Sequence, residues 1–260
     1  VHIAPPMAFA PGYAAPEAAP IRQSLTVPVF VAGRINQPQI AEAILANGQA
    51  DVCGMTRAMI CDPAMPGKTE AGKTDDIRAC IGCNQACLDH VFEQKKASCL
   101  VNPRACAETE LNYIKTNRPK RVAVIGAGPA GLACATVAAE RGHTVTLFDA
   151  ADEIGGQFNI AKRIPGKEEF YETIRYFKNK IDLSGVKLEL NQRVSAEQLI
   201  AQGFDEVVLA TGIQPRQLDI DGIDHSKVMT YLDVLRERQP VGQRVAIIGA
   251  GGIGFDVAEY

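Results

Sequence analysis

The sequence predicts an α/β protein whose strands run parallel. Two glycine-rich fingerprints, Gly126-Ala-Gly128-Pro-Ala-Gly131 and Gly249-Ala-Gly251-Gly-Ile-Gly254, each follow an apolar β-branched run and open an apolar helix pattern. Short apolar runs also alternate with helix-period segments near the N-terminus, a βαβα rhythm. Composition agrees with a globular chain: of 260 residues, 47% are hydrophobic and 22% charged. The 27 basic and 30 acidic residues leave a net charge of -3, which gives no electrostatic reason to expect nucleic acid or an anionic membrane as partner.

Residues 1–20 are rich in Ala and Pro, have no period, and read as loop. Val27–Ala32 is a buried-strand pattern, and Gln39–Leu45 carries helical spacing until Asn47-Gly48 stops it. Ala50–Met55 is a second short strand, with Thr56-Arg57 starting a helix. A polar connection (62–79) leads to the cysteine-rich segment Cys80–Cys106 and the polar linker Glu108–Lys120. Arg121–Ile125 then reads as strand, Pro129–Arg141 as helix and Thr144–Asp149 as strand. Lys167–Lys180 is amphipathic, with Phe170, Ile174 and Phe177 on one face. Glu206–Thr211 and Arg244–Ile248 complete the expected strands. Val122–Ala139 has no charge over 18 residues, but its cluster of Gly126, Gly128, Pro129 and Gly131 argues for strand, turn and buried helix rather than a membrane span. The chain starts with Val, shows no secretory signal pattern, and ends one or two turns into a motif helix, so a fragment cut at both ends is expected.

In the first fingerprint each residue type has a physical task. Gly126 permits the tight turn, Gly128 lets a pyrophosphate approach the backbone, and Gly131 lets helix and strand pack closely. The helix N-terminus offers free N–H groups to the phosphates. Asp149, 18 residues beyond Gly131, is the candidate ribose acceptor. The second fingerprint has Gly249, Gly251 and Gly254 in the same roles; the chain ends before a ribose-reading residue, so NADPH or NADH is not distinguished.

Cys80-x2-Cys83-x3-Cys87-x11-Cys99 places four thiols within 20 residues. Structural zinc usually takes two separated ligand pairs, whereas three crowded cysteines and a later fourth suit a 4Fe–4S cube whose irons each take one thiolate. Spacing favours the cluster, with zinc the rival and Cys106 an alternative fourth ligand. Cys53, Cys61 and Cys134 sit in apolar runs and read as small core residues.

Several segments carry a family resemblance. They are Cys80-Ile-Gly-Cys83-Asn-Gln-Ala-Cys87-Leu-Asp, Cys99-Leu-Val-Asn-Pro-Arg-Ala-Cys106, Gly155-Gly-Gln-Phe-Asn-Ile-Ala-Lys162 and Ile164-Pro-Gly-Lys-Glu-Glu-Phe-Tyr-Glu-Thr173. Together they closely resemble the bacterial NADPH-dependent 2,4-dienoyl-CoA reductases, which join an Old Yellow Enzyme-like FMN barrel to a 4Fe–4S segment and an FAD/NADP module. The match is strong from about residue 76 to 260 and looser before residue 70. Glu153-Ile-Gly155-Gly156-Gln157 and Asp205–Gly212 resemble the secondary FAD signatures of flavoproteins with two dinucleotide domains. The resemblance implies that residues 1–75 are the C-terminal end of an FMN-binding TIM barrel, with 76–118 the cluster segment, 119–240 the FAD domain and 241–260 the start of the nicotinamide domain. Gly33, Arg34, Thr56 and Arg57 would then face the FMN phosphate. On the FAD side it marks Ala130, Asp149, Gly156, Gln157, Lys167, Val194, Thr211 and Gly212 beside the fingerprint glycines.

The resemblance implies electron flow from a nicotinamide through FAD, the cluster and FMN to an enoyl substrate, most directly a 2,4-dienoyl-CoA. The family's barrel acid lies upstream of residue 1, and His2 is given no catalytic role. The loop around Pro5-Pro6 is closer to relatives acting on amines or other enoates, so an amine dehydrogenase or N-demethylase is the alternative, and a non-turning-over electron-relay fragment a third reading. An oxygen-sensitive cluster without an export signal implies the cytoplasm.

Overall fold

The computed structural model describes residues 3–216 and 218–260, so His2 lies outside the described residues. The chain divides into two compact units, one formed by Val1–Ile114 with Tyr171–Lys180, the other by Lys115–Phe170 with Ile181–Tyr260.

The first unit opens with a helix where loop was expected, α1 (Ala15–Ser24). Pro16 falls in its first turn, where a missing N–H costs nothing, and Pro20 sits inside it. Packing overrides the weak pattern: Ala15 and Ala18 are buried in one cluster with Val31, Ile35, Ile44 and Ala50. Strand β1 (Phe30–Ala32), helix α2 (Pro38–Ala46) and strand β2 (Val52–Gly54) form the expected parallel βαβ unit. The register pairs Ala32 with Gly54, so both strands end at one edge. Helix α3 (Thr56–Cys61) leaves that edge directly, and α4 (Met65–Glu70) follows. In the cysteine-rich segment the backbone is irregular except for a π-helical turn over Gln85–Asp89 and the single turn α5 (His90–Phe92).

The second unit is built on a four-stranded sheet. Strand β3 (Arg121–Ile125) leads into helix α6 (Pro129–Glu140) and strand β4 (Thr144–Phe148). After α7 (Phe158–Ala161) and α8 (Phe170–Ser184), of which Tyr171–Lys180 is counted with the first unit, come β5 (Lys187–Glu189), α9 (Ala196–Gln202) and β6 (Glu206–Leu209). The order is β5-β4-β3-β6, every pair parallel. The apolar runs sit at its centre: Ala123, Val124 and Leu147 are fully buried, as is Leu132 of α6. Burying each such Leu removes it from water at a gain of about 1.5–3 kcal/mol. Helix α10 (Tyr231–Leu235) is closed at its start by a Thr230–Asp233 capping box, and α11 (Gly252–Glu259) ends the chain.

One expected strand does not form. Arg244–Ile248 joins no ladder among the described residues. A strand needs a neighbour to take its N–H and C=O groups. Val245 and Ile248, 60% and 69% exposed, lie open where Val122 and Val124 of β3 are buried.

Candidate cofactor sites

In the second unit three glycine-bearing segments, far apart in sequence, meet at one turn. Gly126 follows β3 with φ +110°, and a Cβ there would stand 2.2 Å from the Ala210 carbonyl oxygen. At Gly131, on the first turn of α6, a Cβ would stand 1.8 Å from Gly126 O. The Gly155 N–H donates to Ala127 O at 2.8 Å, and a Cβ on Gly156 would touch the Gly128 Cα at 3.0 Å. The Ala210 N–H donates to Ile125 O, which carries Thr211 and Gly212 past the same turn. The expected FAD elements therefore converge around the α6 N-terminus, where free N–H groups favour an anion.

Asp149, just past β4, accepts from the Ala127 N–H at 2.5 Å and from the Ala151 N–H at 2.8 Å. Its carboxylate thus clamps the glycine turn itself. Ala130 is exposed beside it, and Gln157 caps α7. Val194 packs on the cluster of Ala123, Phe148 and Leu199. Lys167 Nζ donates to Asp256 Oδ1 at 2.5 Å, an ion pair that reaches α11. At the second fingerprint Gly249 has φ +115°, Gly251 caps α11, and a Cβ on Gly254 would stand 2.1 Å from Gly249 O.

In the first unit Cys80, Cys83, Cys87 and Cys99 all line one cavity, with Arg57, Ile60, Ile81, Asn84, Ala86, Leu100 and Val101 as the rest of its wall. Asn84 makes this possible. Its left-handed backbone, φ +61°, turns the chain after Cys83, and its carbonyl accepts from both Leu88 and Asp89 N–H groups. The resulting π-turn is a widened helix turn, a form often found at functional sites. Asn84 is itself held, Oδ1 by Arg57 Nη1 at 2.5 Å and Nδ2 on Ala4 O at 2.8 Å. Buried Asn36 donates to Cys80 O, and the Gly82 N–H donates to Cys80 Sγ at 3.5 Å.

No disulfide links any of the eight cysteines. Cys99 is the one thiol whose environment strongly favours the thiolate: a hydrogen bond from Cys61 brings it down to about 6 against the opposing effect of burial. The Val101 and Asn102 N–H groups and the Arg78 charge act in the same direction. Burial pushes Cys83 up. Cys106 is exposed and lies outside the cavity wall.

Four thiols on one wall are the kind of donor set that a 4Fe–4S cluster takes. Zinc-bound sulfurs stand about 3.8 Å apart, as a Zn–S bond of about 2.3 Å dictates. Among the described residues no three Cys, His, Asp or Glu side chains close around a point that tightly. Thiolates capping four different irons stand farther apart, and beside the four sulfurs the wall offers Arg57, Asn84 and apolar groups, with no carboxylate or imidazole.

The segments expected at FMN occupy the common edge of β1 and β2. Gly33-Arg34 and Thr56-Arg57 both follow the strand ends there, the site at which parallel α/β folds bind phosphates. Their guanidiniums are held within the unit. Buried Arg34 donates to Met7 O and Phe9 O, and its head would lie 3.2 Å from any Cβ on Gly82. Arg57 donates to Pro5 O and Asn84. Both arginines thus brace the cysteine loop, a role that spacing alone does not disclose.

The sequence reading missed Asn84, Arg78 and Cys61 as neighbours of the thiols. Asn84 left a signal, since Asn is the non-glycine residue that best tolerates a left-handed turn. Arg78 and Cys61 left none.

A model of the pyridine nucleotide-disulphide oxidoreductase family matches residues 120–260, and one of the NADH:flavin oxidoreductase / NADH oxidase family matches residues 3–76. A metal reductase of Desulforamulus reducens is 42% identical over 242 residues, 92% of this chain and 36% of its own length. A cinnamate reductase of Clostridium sporogenes is 34% identical over 255 residues, 98% of this chain and 38% of its own length. The solved complex of 2-naphthoyl-CoA reductase with 2-naphthoyl-CoA superposes with a TM-score of 0.94 at 37% identity, over 99% of this chain and 40% of that one. The chain spans about two fifths of the length of these relatives.

Proposed function

This chain belongs to the pyridine nucleotide-disulphide oxidoreductase family, joined to an Old Yellow Enzyme-like NADH:flavin oxidoreductase segment, and on that footing we propose that it is the cofactor-bearing middle of an iron–sulfur flavoprotein reductase. The whole enzyme would draw electrons from NADPH or NADH and reduce a carbon–carbon double bond conjugated with a thioester or carboxylate. The observation that carries this reading is the convergence of Cys80, Cys83, Cys87 and Cys99 on one sulfur-lined cavity. The names of the two reductases, cinnamate and 2-naphthoyl-CoA, support the substrate class. A 2,4-dienoyl-CoA is the first substrate to test.

When bound, FAD, FMN and a 4Fe–4S cluster supply hydride chemistry and single-electron transfer. The chain's own residues bind and orient them. The α6 N-terminus and the glycine turn would present N–H donors to the FAD pyrophosphate, while Asp149 holds the turn and would offer its carboxylate to the ribose. The backbone of Gly33, Arg34, Thr56 and Arg57 takes the FMN phosphate at the β1–β2 edge. The four thiolates would hold the cluster, with Ile60, Ile81 and Val101 as apolar parts of its wall. An oxygen-sensitive cluster would suit the cytoplasm; among the described residues no helix is long and apolar enough to cross a membrane.

The test is metal and flavin analysis of the full-length protein, purified without oxygen. Four irons with equimolar FMN and FAD are expected, together with NAD(P)H-dependent reduction of a dienoyl-CoA or cinnamate. One zinc and no iron would sink the proposal. Turnover of methylated amines in place of enoates would move the reading to the amine dehydrogenases.

A further inference from the structure

The thiol loop passes twice through left-handed backbone, once in each gap between its first three cysteines. Gly82 (φ +64°) stands between Cys80 and Cys83, and Asn84 (φ +61°) between Cys83 and Cys87. Each is met by the arginine that follows one strand of the β1–β2 pair. The Arg34 guanidinium lies against Gly82, where a Cβ would stand 3.2 Å from its Nε and Nη2. Arg57 Nη1 donates to Asn84 Oδ1 at 2.5 Å. A third tie comes from the same edge: buried Asn36 donates from Nδ2 to Cys80 O at 2.7 Å.

The same side chains grip the 4–7 segment. Arg34 Nη1 donates to Met7 O at 2.9 Å, Arg57 Nη1 to Pro5 O at 2.8 Å, and Asn84 Nδ2 to Ala4 O at 2.8 Å. Residues 80–84 have no helix or strand of their own, so these side chains shape them. A non-glycine residue stays left-handed only where its surroundings impose it. At Asn84 Arg57 is part of that imposition, and the Arg57 backbone begins at the strand edge where parallel α/β folds take phosphates. An anion that fixes this backbone also fixes where the guanidinium can reach. Two ligands that require one arrangement of the chain favour each other reciprocally.

We infer that Arg57, acting through Asn84, is a positioning residue that couples the two cofactor places of this unit. A flavin phosphate at the β1–β2 edge holds the thiol loop in its metal-binding shape, and a filled metal centre tightens the flavin. This rests on the FMN and cluster reading above.

The experiment is anaerobic equilibrium dialysis of the full-length protein against FMN, before and after its iron is removed with a chelator. The Kd for FMN is expected to rise at least about fivefold on iron removal, the low end of usual coupling between sites. Bound FMN is expected, in turn, to slow the loss of iron to the chelator. Asn84→Gly keeps the left-handed turn and removes the acceptor for Arg57, so its two Kd values should draw together. Asn84→Asp returns an acceptor and should part them again. Equal FMN affinity with and without iron in the parent overturns the inference. So does an Asn84→Gly variant coupled as strongly as the parent. If Asn84→Gly loads no iron, Asn84→Asp decides: coupling kept supports the inference and coupling lost overturns it. A parent without iron overturns the cluster reading, and one with iron but no FMN overturns the flavin reading; both results are distinct from equal affinities.

Discussion

The two glycine turns share a backbone and differ in everything around it. Gly126 and Gly249 have φ +110° and +115°. Gly128 and Gly251 cap their helices with φ -75° and -86° and nearly equal ψ. In both, the third glycine backs onto the carbonyl of the first, at 1.8 and 2.1 Å for a notional Cβ. Yet the first turn sits between strands β4 and β6 with Ala210 O pressed on Gly126, while nothing lies within 4 Å of a Cβ at Gly249. The local chain closes the same turn twice. Only the neighbours make one of them a packed site.

That contrast can be tested by substitution, with the largest effect at the first turn. Gly131→Ala and Gly126→Ala each force a methyl into backbone, and overpacking costs about 1–3 kcal/mol, occasionally more, the upper end being expected against rigid backbone. Thermal melts of the full-length protein should show the FAD unit destabilised and FAD lost on gel filtration. Retention of FAD by either variant would refute the packed-site description.

At the second turn, Gly249→Ala meets left-handed strain alone, about 1–2 kcal/mol. Gly254→Ala must also open its turn, but in an exposed segment. Both should keep FAD and weaken nicotinamide binding, read as a raised KM for NAD(P)H. Equal melting-point losses at Gly126 and Gly249 would erase the difference between the turns.

A smaller change is expected from Asp149→Ala, which removes the acceptor for Ala127 and Ala151 N–H groups. Losing such bonds costs about 1–3 kcal/mol, and FAD affinity should fall with it. Asp149→Asn, keeping one acceptor oxygen, should lose less on the same flavin-retention assay.

The smallest effect belongs to Asp256→Ala. The Lys167–Asp256 pair is about a quarter exposed on both sides, and a bridge that wet contributes under about 1 kcal/mol. Proteolysis should nonetheless cut the 244–260 segment sooner in the variant, if this pair helps tether α11. An unchanged cleavage rate would leave α11 held by apolar packing such as Val257 on Ile164 and Leu235.

Much of this was legible in residues alone. β3 and β4 start where the patterns begin, because Arg121–Ile125 and Thr144–Phe148 are apolar runs bounded by a linker and by glycine turns. The four-thiol spacing likewise named side chains that line one cavity. Three things escaped. Residues 15–24 are helical because two alanines pack on Val31 and Ile44, a contact no local period encodes. Residues 244–248 have strand composition but no partner among the described residues. Arg34 and Arg57 carry the right charge for a phosphate, and the hydrogen bonds of their guanidiniums to the 5–9 segment and to Asn84 join residues too far apart in sequence for spacing to show.

By itself, then, the sequence determined the local chemistry: where glycine must stand, which helices open on N–H groups, and which thiols lie within reach of one another. These follow from sterics and spacing over a few residues. Tertiary structure decided what each piece faces. It brought Ala210 against Gly126, set Cys61 beside Cys99 and left Val245 and Ile248 exposed, because pairing and burial depend on partners that come from elsewhere in the chain.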